Sequence, residues 1–387
     1  MARLAMQLAM CLSGYSRNCS SGGAPCSVRV IVLVVLLAAL SLSGACASAA
    51  SGGLRVTRTL EIQGPHINAV HDYTDYPLVV NDRGDMAFQT DTGSILTISV
   101  VDNRGRLVAR LSPEGIGGSR FVRPEPVAFR GDSVIVFELG FRRFSVWSRG
   151  GELLSELPAP RGVQPVLLAG RFAYGIHRDS RRTGAVMRWE WETGEGLTTI
   201  WDHASDPAFA ALFADTIFLP AIGARDDMVV TANPSSSFSF LITGDPPSQV
   251  SFDRPLKHPS PARLERMIAR YELRAQVPLP YDAVRWGSEY MRSQYERSQL
   301  PLFSSLSPLH LDSDGSIWTV AIADDSAEVI LIAQKPWRIS TAAVGCPGFN
   351  GRWSMSGNWL AVMCAGPAGS QEPRAVVQLY RVSYPNK

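Results

Sequence analysis

Two polar segments of this sequence carry residue types that bind ligands or metal ions. The first is His71-Asp72-Tyr73-Thr74-Asp75-Tyr76, a concentrated run of polar and aromatic side chains. It is interpreted either as a ligand-binding segment, with His71, Asp72 and Tyr73 as contacts, or as a loop of satisfied polar groups. The second is Asp312-Ser313-Asp314-Gly315, which begins like a calcium loop but lacks the later glutamate and glycine of an EF-hand. This second pattern favours a turn, and no metal ligand is predicted.

Two further patterns have both a functional and a packing interpretation. Trp189-Glu190-Trp191-Glu192 alternates strictly, which places both indoles on one face of a strand. Such indoles stack on sugars in binding sites, but packing between neighbouring sheets is the favoured interpretation. Arg83-Gly84-Asp85 spells an integrin-recognition tripeptide. Its position at the start of a repeat predicts an ordinary turn.

The motifs of the common catalytic centres are missing from the sequence. Its six histidines are scattered, and it has no HExxH zinc motif, GxSxG elbow, P-loop or dinucleotide fingerprint. No catalytic residue is therefore predicted, and the sequence favours a binding protein over an enzyme.

These side chains belong to a strand-turn-strand unit that occurs six times. Each copy opens on a polar turn and continues into two apolar strands; the copies begin at Gly84, Gly131, Gly170, Asp226, Asp314 and Gly357. Strand-rich repeats of roughly 40 to 50 residues are typical of β-propellers. The sequence predicts an all-β fold with six blades. Residues 54–62 alternate as a strand outside the copies, and we expect this strand to close the ring on the last blade.

The longest interval between copies, from Asp226 to Asp314, contains a helical pattern. Ser260-Pro261 is a plausible helix start, and Leu264, Met267, Ile268 and Tyr271 follow with helical spacing. A second amphipathic stretch follows Pro280. We therefore predict a two-helix insertion at about residues 260–299, between blades 4 and 5. It either covers the rim of the propeller or forms a cap over the axial opening.

The first 46 residues have the composition of a bacterial targeting segment. Arg29 precedes the apolar run of residues 30–42, which suits a signal peptide and is short for a membrane span. Ser43-Gly44-Ala45-Cys46 resembles a lipoprotein processing site, so either Cys46 is lipidated or the chain is cleaved near residues 47–50. Residues 47–53 are predicted to be a flexible tether, and residues 54–387 to be the propeller. An exported protein in the periplasm or anchored to the outer membrane is expected.

The charges and cysteines of the chain limit its partners. The net charge is +2, but the targeting segment carries three arginines and no acid, so the remainder is nearly neutral. This balance gives no electrostatic support for binding nucleic acid or an anionic membrane. After Cys46 only Cys346 and Cys364 remain, and two cysteines in an exported domain favour a disulfide. Two buried thiols are the alternative interpretation.

The segment from Gly115 to Leu157 resembles the six-bladed β-propeller proteins of bacterial envelopes, relatives of the NHL-repeat propellers. Gly118-Ser119-Arg120-Phe121 stands at the Gly-rich lead of those repeats, without its Pro and Glu. Residues 139–143 stand at their Asp-x-x-Asn-Arg turn and keep only the arginine. The resemblance covers most of residues 79–383. It implies a six-bladed propeller. Many proteins of the family it resembles are uncharacterised lipoproteins or secreted proteins.

The resemblance also supplies an enzymatic alternative. Gluconolactonase-like and paraoxonase-like propellers hydrolyse lactones or esters around an axial divalent metal, and Ca²⁺ needs six to eight oxygen ligands. No such ligand set is assembled from this sequence, so a calcium cofactor is expected only under this alternative. The main expectation is a module that binds a small ligand or an envelope protein.

Overall fold

The computed structural model describes most of the chain from residue 53 onward. The described ranges are 53–63, 77–91, 96–112, 121, 124–178, 184–213, 220–233, 239–243, 248–251, 260–262, 264–265, 268, 281–296, 308–322, 327–334, 337–346, 349, 352–365 and 375–384.

The fold consists of six antiparallel sheets of four strands, which we call blades 1 to 6. The first strand of the chain, β1 (Arg55–Ile62), belongs to the last blade. Blade 1 contains β2 (Leu78–Val80), β3 (Met86–Asp91), β4 (Leu96–Val101) and β5 (Leu107–Leu111). Blade 2 contains β6 (Pro124–Arg130), β7 (Ser133–Glu138), β8 (Arg143–Ser148) and β9 (Leu153–Pro158). Blade 3 contains β10 (Val163–Ala169), β11 (Phe172–Arg178), β12 (Gly184–Glu190) and β13 (Thr198–Trp201).

The second half of the chain repeats this arrangement. Blade 4 contains β14 (Ala221–Arg225), β15 (Met228–Ala232), β16 (Ser239–Ile242) and β17 (Ser248–Ser251). Blade 5 contains β18 (His310–Leu311), β19 (Ile317–Ile322), β20 (Ala327–Ala333) and β21 (Arg338–Val344). Blade 6 contains β22 (Trp353–Ser356), β23 (Trp359–Ala365), β24 (Ala375–Ser383) and β1. The predicted six-bladed β-propeller is therefore confirmed, and each sequence copy corresponds to the two middle strands of one blade.

The ring is closed by strands from the two ends of the propeller. β1 pairs antiparallel with β24, from Arg55 opposite Ser383 to Ile62 opposite Val377. The amide of Gln378 also donates a hydrogen bond of 2.9 Å to the Glu61 carboxylate. The predicted closing strand is thus confirmed. It covers an edge of blade 6 that would otherwise expose unpaired backbone groups.

The core is divided among six apolar clusters, one at each junction between neighbouring blades. This distribution follows from strand alternation, because a blade with apolar residues on both faces must pack against a neighbour on each side. Burial of one large aliphatic or aromatic side chain contributes roughly 1.5–3 kcal/mol. A closed ring therefore leaves no blade with an uncovered apolar face.

Two continuous helices lie within the described residues, and both occur in links from an outer strand to the next inner strand. α1 (Pro207–Phe213) connects blades 3 and 4, and α2 (Tyr281–Glu296) connects blades 4 and 5. Asp206 caps α1, because its carboxylate accepts hydrogen bonds from the backbone N–H groups of Ala208 and Phe209 at 2.9 and 3.0 Å. Phe209 then stacks on Trp201 at 6.4 Å and anchors the helix to the ring.

The structure does not confirm the two-helix insertion that the sequence predicts. α2 lies between blades 4 and 5 as expected, but the first predicted helix is only partly within the described residues. α1 was not predicted, because its seven residues lie below the length at which an apolar period is distinctive.

Candidate functional site

The inner strands of the six blades surround an axial channel. These strands are β2, β6, β10, β14, β18 and β22, and their carboxyl-terminal halves line a cavity of about 360 Å³. The cavity opens at the end of the ring where the inner strand of each blade turns into the next strand. Ligand pockets in proteins generally have volumes of about 300–1,000 Å³. The channel is therefore large enough for a small ligand or for one large side chain of a partner.

Many side chains along the channel wall are apolar, although more of its exposed surface is polar. Blades 1 and 3 contribute Val79 and Leu167, blade 2 contributes Phe129, and blades 5 and 6 contribute Leu309 and Met355. The same residues also pack in the apolar clusters between neighbouring blades, because successive side chains of a strand point to opposite faces of the sheet. A wall of this kind binds the apolar body of a ligand by excluding water, and polar groups at a few points set its orientation.

The polar groups of the channel are concentrated at blades 4 and 5. Arg225 and Asp226 end the inner strand of blade 4, and His310 begins that of blade 5. The Arg225 guanidinium donates a hydrogen bond of 3.3 Å to the backbone oxygen of Leu311, which joins the two blades. Asp226 adopts a φ of 50°, a region that non-glycine residues seldom occupy, and its side chain is 91% exposed. The strained turn holds this carboxylate at the channel mouth.

His310 lies beside a carboxylate that is already engaged. Its Nε2 is 3.6 Å from Oδ1 of Asp312, and Oδ2 of Asp312 accepts a hydrogen bond of 2.7 Å from the indole of Trp318. The position of Asp312 is therefore set by the hydrogen bond from Trp318 of the same blade.

A second polar contribution comes from blade 6. Oγ of the buried Ser354 accepts a hydrogen bond of 3.1 Å from the backbone N–H of Val80, which links the inner strands of blades 6 and 1. Ser356 also lines the channel, closer to the mouth. The polar side chains of the channel thus extend from Arg225 through His310 to Ser356, on blades 4, 5 and 6.

This residue set does not fit the hydrolase alternative. Asp226 is the only carboxylate among the described residues that line the channel. In the described part of the chain, no three or more His, Cys, Asp or Glu residues are grouped as metal ligands. A hard divalent cation needs more oxygen ligands than this wall provides.

The structure explains the Arg83-Gly84-Asp85 tripeptide as part of a blade junction. The Asp85 side chain is buried and accepts hydrogen bonds from the guanidinium of Arg149 at 3.0 and 3.3 Å. Arg83 is ion-paired with Asp132 of blade 2. A buried carboxylate is not available to a receptor, so the interpretation as a turn is correct.

The structure also accounts for the two remaining sequence patterns, one by packing between blades and the other by a turn. Trp189 and Trp191 belong to the apolar cluster between blades 2 and 3, as the packing interpretation predicted. Asp312-Ser313-Asp314-Gly315 forms a turn closed by a hydrogen bond of 3.0 Å from the Gly315 N–H to the Asp312 oxygen.

Of the site residues predicted from the sequence, only the cysteine pair lies within the described residues. Cys346 and Cys364 form a disulfide with a Cα–Cα distance of 5.2 Å, inside the apolar cluster between blades 5 and 6. Tyr380 lies in the same cluster, where burial raises its pKa to about 12. His71, Asp72, Tyr73 and Cys46 lie outside the described residues.

Sequence reasoning missed the channel residues Arg225, Asp226 and His310. The available signal was positional, because Asp226 begins one repeat and Arg225 directly precedes it. In blades 3 and 6 the residue before the repeat start, Ala169 or Ser356, also lines the channel. His310 carried no such signal, because its inner strand is only two residues long.

The comparisons with known proteins do not identify a family. No family model matches the chain, and no curated protein matches it significantly. A solved DUF4221 family member from Bacteroides vulgatus is 8% identical, with 86% of this chain and 99% of that chain covered and a TM-score of 0.45. BamB from Moraxella catarrhalis is 11% identical, with 84% and 100% covered and a TM-score of 0.32. The PQQ-bound aldose sugar dehydrogenase from Streptomyces coelicolor is 14% identical, with 86% and 99% covered and a TM-score of 0.41.

These similarities concern the fold only. The class of this protein, a six-bladed β-propeller, is established by its own strand order and pairing. Among the described residues, no helix has both the length and the apolarity required to cross a bilayer.

Proposed function

We propose that this protein is an exported cell-envelope propeller that binds a small ligand or a partner protein through its axial channel. The observation that carries the proposal is the channel itself. It holds about 360 Å³ and is lined by apolar side chains together with Arg225, Asp226, His310 and two serines. An amphipathic group suits this mixed wall, because the apolar side chains desolvate its apolar part while Arg225 and His310 meet its polar part.

The polar side chains of the channel suit recognition better than catalysis. Arg225 and His310 each contact a group of the protein, namely the Leu311 oxygen and the Asp312 carboxylate. Such contacts hold donors in place before the ligand arrives, which reduces the entropy lost on binding. The binding role is therefore preferred to the hydrolase.

Export is proposed from the sequence of the first 46 residues. In this proposal Cys46 is the lipidated first residue, with residues 47–53 as tether, or the chain is cleaved near residues 47–50 and released to the periplasm. The mass of the processed protein distinguishes the two, because only the lipoprotein retains Cys46 with its acyl chains. The partner is then another envelope protein or a small molecule of the same compartment.

Two further features of the site remain proposals. His71, Asp72 and Tyr73 are proposed as ligand contacts, because they belong to the link between β1 and the inner strand β2. We also propose that residues 260–299 form the two-helix insertion between blades 4 and 5. Its support is that the buried Leu264 and Ile268 pack against Met291 and Tyr295 of α2.

The proposal is tested by narrowing the channel. Ala128 lines the channel wall, whereas Ala204 lies exposed in a turn between blades 3 and 4. The purified protein, Ala128→Phe and Ala204→Phe are each incubated with a bacterial envelope extract, and bound molecules are measured by native mass spectrometry. We expect the wild type and Ala204→Phe to retain the same ligand and Ala128→Phe to retain about tenfold less, equivalent to about 1.4 kcal/mol.

Equal retention by all three proteins would show that the channel is not the binding site. A thermal melt of each variant provides the folding control, because the comparison is valid only where all three proteins unfold cooperatively.

A further inference from the structure

Four of the six blades pass from the inner strand to the next strand through the same two-residue turn. The turns are Gly131-Asp132 in blade 2, Gly170-Arg171 in blade 3, Asp226-Asp227 in blade 4 and Gly357-Asn358 in blade 6. The first residue of each turn has a positive φ, which is 57°, 57°, 50° and 53° respectively. Glycine is therefore used at this position in three blades, and blade 4 carries an aspartate there instead.

Asp226 occupies its position against the preference of the backbone. A residue with a Cβ atom is strained at positive φ, although Asp and Asn tolerate this region better than most residues. The side chain gains no packing in return, because it is 91% exposed. A residue held in such a conformation is a reason to look for a function of its side chain. In blade 4 that function concerns the channel, since Asp226 lines its mouth.

Asp226 and the preceding Arg225 place opposite charges side by side. Among the described residues that line the channel, they are the only carboxylate and the only guanidinium. Nε of Arg225 is 3.7 Å from Oδ2 of Asp226, and the Arg225 side chain is 43% exposed. An ion pair that solvent screens in this way contributes little to stability, so a ligand replaces the contact at small cost. Both charged groups are exposed enough for ligand atoms to contact them.

The charge pair selects against ligands that carry a single charge. A carboxylate without an ammonium group is attracted by Arg225 but repelled by Asp226, and an ammonium group alone is attracted by Asp226 but repelled by Arg225. A zwitterion meets an opposite charge at both residues, and each contact is a charge-assisted hydrogen bond. Apolar side chains of the same cavity, among them Val79, Leu309 and Met355, remove an apolar body from water.

We propose that the channel ligand is a small zwitterion with a large apolar group, namely an α-amino acid with an aromatic or branched side chain. This inference rests on the proposed function, because it names the chemistry of the ligand in the same channel. Arg225 binds the carboxylate, Asp226 binds the ammonium group, and the apolar side chain lies in the channel. The size is suitable, since cavities of about 150 Å³ already bind benzene and this one measures about 360 Å³.

L-Phenylalanine is the probe, and three compounds each lack one of its groups. Phenethylamine lacks the carboxylate, 3-phenylpropionate lacks the ammonium group, and free glycine lacks the apolar body. Isothermal titration calorimetry of the purified protein measures the affinity for each compound. We expect phenylalanine to bind at least about tenfold more tightly than phenethylamine and 3-phenylpropionate, as the loss of one charge-assisted hydrogen bond implies. We expect no detectable binding of glycine.

Variants of the two charged residues assign each contact. Asp226→Asn should weaken phenylalanine binding about tenfold and leave 3-phenylpropionate binding no weaker, because only the ammonium group loses its partner. Arg225→Gln should weaken phenylalanine binding about tenfold and leave phenethylamine binding no weaker, because only the carboxylate loses its partner. Asp227→Asn is the matched control, because Asp227 belongs to the same turn but does not line the channel. Its affinities should equal those of the wild type.

Asp226→Gly tests the backbone argument separately. This variant restores the glycine of the three equivalent turns, so it should unfold at the same temperature as the wild type or at a higher one. It should also lose phenylalanine affinity about tenfold. A lower unfolding temperature would show that Asp226 is retained for stability, which contradicts the inference.

Ala128→Phe, which narrows the channel, separates this inference from the proposed function. It should weaken phenylalanine binding about tenfold or more. The inference is overturned if phenylalanine does not bind, if Ala128→Phe leaves its affinity unchanged, or if the two single-charge compounds bind as tightly as phenylalanine. The proposed function survives the first result if Ala128→Phe still retains less of another molecule from the envelope extract. It survives the third result if Ala128→Phe weakens all three compounds.

Discussion

The junction between blades 5 and 6 and the junction between blades 2 and 3 have the same strand arrangement but different interiors. The first is filled by aromatic side chains, among them Trp318, Phe349 and Trp353, and is crossed by the Cys346–Cys364 disulfide. The second contains Trp189 and Trp191 but leaves a cleft of about 310 Å³, the interblade cleft, beside the exposed ion pair of Arg130 and Glu192.

The two junctions also differ in their distance from the point where the ring closes. Blades 2 and 3 are joined by the short backbone link of residues 159–162 between β9 and β10. Blade 6 is assembled from strands at opposite ends of the propeller, since β1 and β24 must meet for the ring to close. Bringing distant segments together costs loop-closure entropy. The disulfide and the apolar cluster next to the closing strand, which includes Leu54, offset part of that cost.

The largest expected effect is at the closing blade. Replacing both cysteines, Cys346→Ala with Cys364→Ala, releases a cross-link between positions 18 residues apart. The denatured chain then gains conformational entropy, and we expect the free energy of unfolding to fall by about 3–4 kcal/mol. Guanidinium unfolding measures the change, and wild-type protein unfolded with reductant is the matched control. A loss below about 1 kcal/mol would contradict the importance assigned to this junction.

A smaller effect is expected where blade 1 meets blade 6. Gly84 has a φ of 85°, and a Cβ atom there would lie 2.6 Å from the indole of Trp359. Gly131, beside the interblade cleft, has a φ of 57°, and a Cβ atom there would meet no other atom within 4 Å. Both substitutions to alanine impose backbone strain of about 1 kcal/mol, but only Gly84→Ala adds a clash.

Gly84→Ala should therefore destabilise the protein by about 2 kcal/mol and Gly131→Ala by about 1 kcal/mol. Thermal or urea unfolding of the two variants measures the difference. Equal losses would show that the closing blade is no more tightly packed than the turn beside the interblade cleft.

The smallest effect is expected at the ion pair above the interblade cleft. Arg130 and Glu192 are both 56% exposed, so solvent screens their attraction. Glu192→Gln should change the free energy of unfolding by less than about 1 kcal/mol, and the change should shrink as salt is added. A double-mutant cycle with Arg130→Met isolates the pair. A coupling energy well above 1 kcal/mol would show that the ion pair stabilises the junction between blades 2 and 3.

Much of the fold was predictable because its signals are local. Alternating apolar residues after each polar turn predicted the two middle strands of every blade, and the spacing of the turns predicted their number. The inner and outer strands were harder to predict, since β2 has three residues and β18 has two. Strands of this length are defined by the partner strand beside them and carry no period of their own.

The candidate sites were less predictable than the fold. His71, Asp72 and Tyr73 attracted attention because they are neighbours in sequence, whereas Arg225 and His310 are far apart along the chain and adjacent in space. The Trp189-Glu190-Trp191-Glu192 pattern correctly predicted packing, but not that Trp191 would also line a cavity. A cavity depends on which neighbouring side chain is too small to fill it.

The sequence by itself determined that this protein is a ring of six repeated sheets, because strand alternation and turn chemistry act over a few residues. It also determined the closing strand, whose alternating pattern lies outside the six copies. Only the tertiary structure decided that Arg225, Asp226 and His310 share one channel mouth, and that Trp191 borders a cleft under Arg130 and Glu192. Those groupings arise between blades, so they exist only once the ring has closed and packing has fixed which side chains meet.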